Sequence, residues 1–489
     1  MFLKLWPCVI LVVCLVFGNQ LEAQTDRYEL GRRVKRYEVA WQSAEKVARD
    51  RSTESMQRAV SYFFGLNFQK AGQALDSALL KIKSSQPASE ISKWTVSRKV
   101  TVQKRVTDAA ANELQISIGE FYETKTSAPE KAKVNVVIYG DTGQVLLERT
   151  DLLANLKTVN SISKLADPQL TCRWKPGQIG EGDFKVSVNL LIGESSHRID
   201  EFLYSRVTDL DKRLDLQNER IKTAKATATP TGYQTLKMWR DLARDSYREE
   251  RLEIDYPVHR LTKNFDSLCD HGGEIAKFLE ASTQREFWIT LRAERKQVPM
   301  RIRLPKDLST PRPLLFVFHG AGGSDNMFFE TYGAGRCVDL AEERGWIVVS
   351  PNQGLLSRLS LDCRQMVELL SKHIPVDQQQ IMYLGHSMGA AQVITQVKAN
   401  PELPIAAVAL GGGRGQRDAK PLSSTPWFVA AGEQDFGRRG ARSLFDSLKS
   451  EDADVTYKVY PNVEHLVIVQ AALDDAFKFL DRVIASEVK

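Results

Sequence analysis

Gly385-His386-Ser387-Met388-Gly389 sets a serine between two glycines, after the apolar run Ile381-Met382-Tyr383-Leu384 and before a segment with helical spacing. A serine hydroxyl is a weak nucleophile near neutral pH and needs a base within hydrogen-bond reach. Gly-x-Ser-x-Gly at a strand-to-helix junction is the pattern of a nucleophile elbow. The flanking glycines remove side chains that would clash in so tight a turn. The amide after the serine falls at a helix N-terminus, where negative charge is favoured. The chemistry this stretch can do is acyl transfer through a covalent serine intermediate.

Such a serine needs three further groups. Downstream of it the only histidine is His465, in Tyr460-Pro461-Asn462-Val463-Glu464-His465, between the last expected strand and the last expected helix. His465 is the expected base. An acid must orient the imidazole and stabilise its charged form. Asp435, in Gly432-Glu433-Gln434-Asp435 after the strand Trp427 to Ala431, is the expected acid, with Glu433 the alternative. Asp418 and Asp454 read as solvated loop residues. An oxyanion needs amide donors. His319-Gly320-Ala321-Gly322-Gly323 follows the apolar run Leu314 to Phe318, and its small residues let the backbone turn amides inward. The expected donors are the amides of Met388 and of Ala321 or Gly322.

The segments around these residues set their positions. From Arg285 onward strands and helices alternate, which predicts a doubly wound, mostly parallel α/β sheet. The strands are expected at Phe287 to Leu291, Pro299 to Leu304, Leu314 to Phe318, Trp346 to Ser350, Ile381 to Leu384, Ile405 to Leu410, Trp427 to Ala431 and Val455 to Tyr460. The helices are expected at Ala334 to Arg344, Asp362 to His373, Met388 to Lys398, Gly440 to Leu448 and Gln470 to Ile484.

The chain of 489 residues is too long for one ordinary core. Residues 1–23 read as a secretory signal peptide: Lys4, the apolar run Leu5 to Phe17, then Leu21-Glu22-Ala23. Residues 24–92 read as a helical segment, with Met56, Val60, Phe63, Phe64, Phe68, Ala71, Leu75 and Leu79 recurring at helical steps as core. Phe64 to Ala71 is expected to bend between two helices. Residues 93–200 read as an antiparallel β-rich, sandwich-like domain. Its strands are expected at Trp94 to Val106, Leu114 to Tyr122, Val134 to Tyr139, Val145 to Glu148, Leu170 to Trp174 and Phe184 to Ile192. Residues 201–280 read as a helical connector. It comprises Glu201 to Thr223, a linker near 225–232, Gln234 to Leu252 and a turn at Ile275 to Leu279. The α/β domain occupies 281–489.

The formal net charge of +6 is spread along the chain without a basic block, which gives nucleic acid no footprint. No stretch after the signal is long and apolar enough to span a bilayer. Of the six cysteines, Cys8 and Cys14 leave with the signal. Of the other four, Cys172, Cys269, Cys337 and Cys363, the expected disulfide is Cys337 with Cys363, with buried free thiols the alternative. No Cys or His spacing matches a metal-ligand set, and the Gly-rich loop lacks dinucleotide spacing. No metal or cofactor is expected.

His319 to Gly323, Gly385 to Gly389, Asp435 and His465 together resemble an exported α/β-hydrolase of the feruloyl esterase, acetylxylan esterase and polyhydroxybutyrate depolymerase group. The approach from Val376-Asp377 into the elbow is similar to that group too. Ala390 departs from it, standing where many members carry glycine. The resemblance covers Arg285 to Lys489 and implies a serine esterase with Ser387, Asp435 and His465 as its triad. The front half carries no resemblance and offers no convergent catalytic residues. Lids in this fold enter between the strand after the elbow helix and the acid, and Gly411 to Pro426 is too short for one. An open cleft and a bulky or polymeric ester, carbohydrate-linked esters included, are therefore expected. Arg414, Arg417, Arg438 and Arg439 are expected near its mouth. A peptidase with the same triad is the alternative enzyme. A binding or scaffold protein with a vestigial hydrolase is the alternative from another class.

Overall fold

The computed structural model of the protein describes residues 20–160, 166–249, 253–352 and 361–487. The apolar run Leu5 to Phe17, with Cys8 and Cys14, lies outside them. Among the described residues no helix is long and apolar enough to cross a membrane.

The described chain opens with α1 (Gln20–Ser43), α2 (Lys46–Phe64), α3 (Phe68–Lys83) and the short α4 (Glu90–Ser97). The Asn67 side chain accepts from the Lys70 amide at 3.2 Å and caps α3, which fixes the bend after α2. Arg33 on α1 is only 1% exposed, a cost that pairing must offset. It donates to Glu29 at 2.7 Å, to Asp76 of α3 at 3.0 Å and to the Arg98 carbonyl at 2.9 Å.

Nine strands follow: β1 (Arg98–Val102), β2 (Val106–Asp108), β3 (Glu113–Glu120), β4 (Lys133–Tyr139), β5 (Val145–Leu152), β6 (Lys157–Asn160), β7 (Ala166–Arg173), β8 (Gly182–Ile192) and β9 (Ser195–Val207). They make a four-stranded sheet, β1-β3-β7-β6, and a five-stranded sheet, β2-β9-β8-β4-β5. All pairs are antiparallel except β2 with β9. Val100, Ile116 and Leu170 from one sheet share an apolar cluster with Val136, Val186 and Phe202 from the other, as in face-to-face sheet packing. Trp94 was expected on a strand, but it lies on α4, which Ser89 caps through the Ser92 amide at 3.2 Å. Glu201 was expected to start a helix, but it lies within β9, where buried Phe202 and Tyr204 alternate with Glu201 and Leu203.

Four helices connect to the C-terminal sheet: α5 (Leu210–Thr227), α6 (Pro230–Tyr247), α7 (Val258–Asp270) and α8 (Ile275–Ala281). Helix α7 was not anticipated from the sequence. The linker expected near 225–232 is instead a tight turn. Thr229 caps α6 through the Gly232 amide at 3.1 Å, and Pro230 takes the first helical position. Its small residues serve close packing, not freedom: a Cβ on Gly232 would lie 1.8 Å from the Gly273 carbonyl oxygen.

The C-terminal half runs β10 (Glu286–Ala293), β11 (Lys296–Arg303), β12 (Arg312–Phe318), α9 (Met327–Glu330), α10 (Arg336–Glu343), β13 (Ile347–Pro351), α11 (Cys363–Leu370), β14 (Val376–His386), α12 (Met388–Ala399), β15 (Pro404–Leu410), β16 (Trp427–Gly432), α13 (Arg438–Lys449), β17 (Val455–Tyr460) and α14 (Ile468–Glu487). The sheet order is β10-β11-β13-β12-β14-β15-β16-β17, parallel from β13 onward and antiparallel at β10-β11 and β11-β13. Strand β10 leaves an edge that must be covered. Helix α6 covers it: Thr235 and Thr231 hydroxyls accept from the amides of Thr290 at 3.1 Å and Arg292 at 3.3 Å, and Trp239 Nε1 donates to the Trp288 carbonyl at 2.6 Å.

The sheet's two faces carry two cores, because side chains alternate along each strand. Leu314, Phe316 and Tyr383 belong to one cluster, Leu315, Val317 and Met382 to the other. The second cluster also contains Leu30, Tyr37, Met56, Leu75 and Leu79 of α1, α2 and α3. The N-terminal helices thus share a core with the sheet. The expected Cys337–Cys363 disulfide is absent, and Cys172, Cys269, Cys337 and Cys363 are all free thiols. Cys337 lies in the second cluster and Cys363 in the first, so the sheet itself separates them.

Candidate active site

Ser387 stands between β14 and α12 with φ 56° and ψ −115°, a conformation that costs a non-glycine residue about 1–3 kcal/mol. The elbow leaves no room for alternatives. A Cβ on Gly385 would lie 2.3 Å from the Gly389 carbonyl oxygen, and one on Gly389 would lie 1.9 Å from that of Phe318. The Ser387 amide donates to the Leu410 carbonyl at 2.9 Å, which ties the turn to β15.

His465 Nε2 lies 2.9 Å from Ser387 Oγ, and His465 Nδ1 lies 2.7 Å from Asp435 Oδ1. A carboxylate only accepts, so Nδ1 carries the proton and Nε2 accepts from the serine hydroxyl. Burial pushes the Asp435 carboxyl up. The hydrogen bond and charge of His465, with the Gly437 amide donating at 2.6 Å, outweigh that and hold it below the usual range. Glu433 does not reach His465; it accepts from the Asn462 amide at 3.2 Å and so braces the loop before the base. Glu464 accepts the amides of Leu466 at 2.9 Å and Val467 at 2.8 Å, which fixes the loop after it.

His386 is 1% exposed, and burial drives its imidazole down to about 3. Its Nε2 therefore donates as a neutral ring to the His465 carbonyl at 2.7 Å, joining the Ser387 turn to the His465 backbone. In the loop after β12 the Gly320 amide donates to the Tyr332 hydroxyl at 3.3 Å and the Gly323 amide to the Gly320 carbonyl at 3.2 Å. The Ala321 and Gly322 amides between them donate to no atom among the described residues, nor does that of Met388 at the first position of α12. Three donors thus stand unused close to the serine's loop. Ser387, Asp435 and His465, expected apart in sequence, are brought into one hydrogen-bonded chain. Asp418 and Asp454 stay on the surface, Asp454 paired with Arg482 at 3.3 Å.

The cleft is walled in part by the front half of the chain. Ser387, His386 and His465 face a cavity of about 780 Å³ whose walls include residues of α1, α2, α3 and α6. Gly411 to Pro426 holds no lid, but the front half supplies a roof. A Cβ on Gly322 would lie 3.8 Å from the Phe63 ring. Thr53 Oγ1 donates to the Asn462 carbonyl at 2.6 Å, and Gln57 Nε2 donates to Gln434 Oε1 at 3.0 Å, so α2 runs along the loops that carry Asp435 and His465. Arg414, Arg417, Arg438 and Arg439, expected at the mouth, do not line the cavity. Sequence reasoning placed Phe63 and Phe64 in the core, yet Phe64 is 51% exposed and meets Phe436 at 5.6 Å. The adjacency of Phe436 to Asp435 was the one available signal. Among the described residues no cluster of His, Cys, Asp or Glu could hold a metal.

No protein-family model matches the chain, and no curated protein matches it. Several solved structures do. An S-formylglutathione hydrolase from Agrobacterium tumefaciens is 16% identical over 41% of this chain and 97% of its own, with a TM-score of 0.34. A ferulic acid esterase is 17% identical over 41% of this chain and 98% of its own, with a TM-score of 0.35. A thermostable esterase is 15% identical over 79% of this chain and 95% of its own, with a TM-score of 0.37.

Proposed function

We propose that the protein is a serine esterase of the α/β-hydrolase type, with Ser387 as nucleophile, His465 as base and Asp435 as the acid that orients it. The unbroken chain Asp435–His465–Ser387, at 2.7 and 2.9 Å, carries this reading. Ser387 Oγ adds to the ester carbonyl carbon as its proton passes to His465 Nε2. The carbonyl oxygen, now anionic, takes the amides of Met388 and of Ala321 or Gly322. Collapse breaks the bond to the alcohol oxygen, which leaves with the proton from His465. Water then repeats the sequence on the acyl-serine and releases the acid. Each amide donor is worth roughly a factor of 100 to 1,000 in turnover.

Ser387→Ala should lower hydrolysis of p-nitrophenyl acetate by about a millionfold and abolish labelling by a fluorophosphonate probe. Retention of either activity or labelling refutes the assignment. Export is part of the proposal, resting on the signal-like residues 1–23. Recovery of the mature chain in the cytoplasm of its native cell would refute that part. The enclosed walls favour an ester with one arm small enough to enter the cavity, which narrows the expected bulky or polymeric substrates to those joined through their alcohol side.

A further inference from the structure

We propose, resting on the esterase reading, that the N-terminal helices build an acyl-chain pocket and that the preferred substrates carry an unbranched aliphatic acyl group longer than acetyl. The cavity at Ser387 extends to both faces of the sheet's carboxyl edge. On one side, beyond the exposed Arg27 at the start of α1, its wall includes Leu30 and Val34 of α1, Ala59 and Val60 of α2, and Ala71 and Leu75 of α3. All six are apolar and at most 7% exposed. On the other side, towards α6, the wall is mixed: Lys237, Asp241, Glu253 and Asp325 interrupt the apolar Met238 and Leu242, so an alkyl chain meets charged groups there that it does not meet under α2 and α3.

The geometry around the serine says which half of the ester goes where. The leaving oxygen must sit beside His465 Nε2, which returns a proton to it. Phe436 lies against that ring with a centroid separation of 3.8 Å and is 63% exposed, so this side opens to solvent. The alcohol leaves past Phe436. The Phe63 ring stands over the Gly322 side of the cavity, and the enclosed space beneath α1, α2 and α3 is left for the acyl chain.

Helix α1 carries a second mark of this pocket. Gly31 lines the cavity inside a helix, where glycine is unfavourable. A Cβ there would meet no atom within 4 Å. Nothing in the packing or backbone asks for glycine at that position, and any larger side chain would project into unfilled space on the cavity wall.

The test is the kcat/KM series for p-nitrophenyl acetate, butyrate, hexanoate and octanoate, with the full chain and with Gly31→Leu. The wild type should gain roughly fourfold per methylene buried until the arm is full. Gly31→Leu should lower the octanoate-to-acetate ratio by about tenfold or more. Thermal unfolding and fluorophosphonate labelling show that the variant is folded and its serine intact; if it fails either, Gly31→Val is measured in its place. A wild-type series that declines from acetate, or a ratio unmoved in a folded variant, overturns the acyl pocket alone. Absence of hydrolysis of every ester together with absence of labelling overturns the esterase reading instead.

Discussion

Phe436 and His465 stack with ring centroids 3.8 Å apart, and Phe64 of the N-terminal helices closes edge-on against Phe436 at 5.6 Å. Two aromatic contacts in series therefore run from His465 to the front half of the chain. Aromatic pairs contribute about 0.5–1.5 kcal/mol beyond their buried area, and both phenylalanines are partly exposed. A double-mutant cycle of Phe64→Ala and Phe436→Ala in urea unfolding should give a coupling near the lower figure, about 0.5 kcal/mol. Full additivity would mean that the contact does not hold in solution.

The acid's role predicts a split between activity and stability. Asp435→Asn keeps the shape but presents the wrong hydrogen-bond pattern to His465 Nδ1, and kcat should fall by about 10⁴. The wild-type carboxyl is held below its usual range. Its contribution to stability is therefore full above an unfolded aspartate's pKa of about 3.9 and is lost as pH falls through the lower folded value. Urea unfolding from pH 6 to pH 2 should show this component in the wild type and not in Asp435→Asn. Equal pH dependence in both would remove Asp435 from the interaction.

Glu38 predicts the opposite sign. It lies on α1 with no exposed surface, and the Gly333 amide is the one donor that faces its carboxylate among the described residues. Burial, with Glu464 nearby, pushes its carboxyl well above the usual range. The folded state then holds a proton that the unfolded chain releases above about pH 4.3, so stability falls as pH rises from there. Glu38→Gln should stabilise the protein at pH 8 and change its stability little at pH 4. A destabilised variant at pH 8 would contradict this.

Gly389→Ala should disable the elbow. Its Cβ would fall 1.9 Å from the Phe318 carbonyl oxygen, so β12 and α12 would have to separate. Fluorophosphonate labelling should drop by at least about 100-fold, accompanied by a lower Tm, since a displaced Met388 amide alone costs that much. Labelling at the wild-type rate would show that the turn tolerates a side chain.

A chain beginning at residue 281 should not fold by itself. It would expose the sheet residues that now contact α1, α2 and α3, and free the β10 edge that Thr231 and Thr235 cap. Soluble expression and thermal unfolding would check this. A soluble, cooperatively unfolding, probe-reactive fragment would make the front half an independent appendage.

The positions of Ser387, Asp435 and His465 were legible because they are written locally. Gly385 to Gly389 encodes a turn that only glycines permit, and strand periodicity puts Asp435 and His465 past the ends of β16 and β17. The charged alternation of β9 was misread as helix, since periods of two and of 3.6 are hard to tell apart when charges dominate. The small residues near 225–232 were misread as a linker, because close helix packing and flexibility call for the same composition. What the sequence by itself determined is the turn that carries Ser387, the loop that carries His465 and the order of the strands before them. Only the tertiary structure decided that Asp435 and not Glu433 meets His465, that Cys337 and Cys363 lie on opposite faces, and that α1, α2 and α3 roof the serine. Those outcomes depend on which surfaces meet across hundreds of residues, as where Thr53 meets Asn462. An apolar helical stripe has the same spacing whether it faces a solid core or the wall of a substrate cavity.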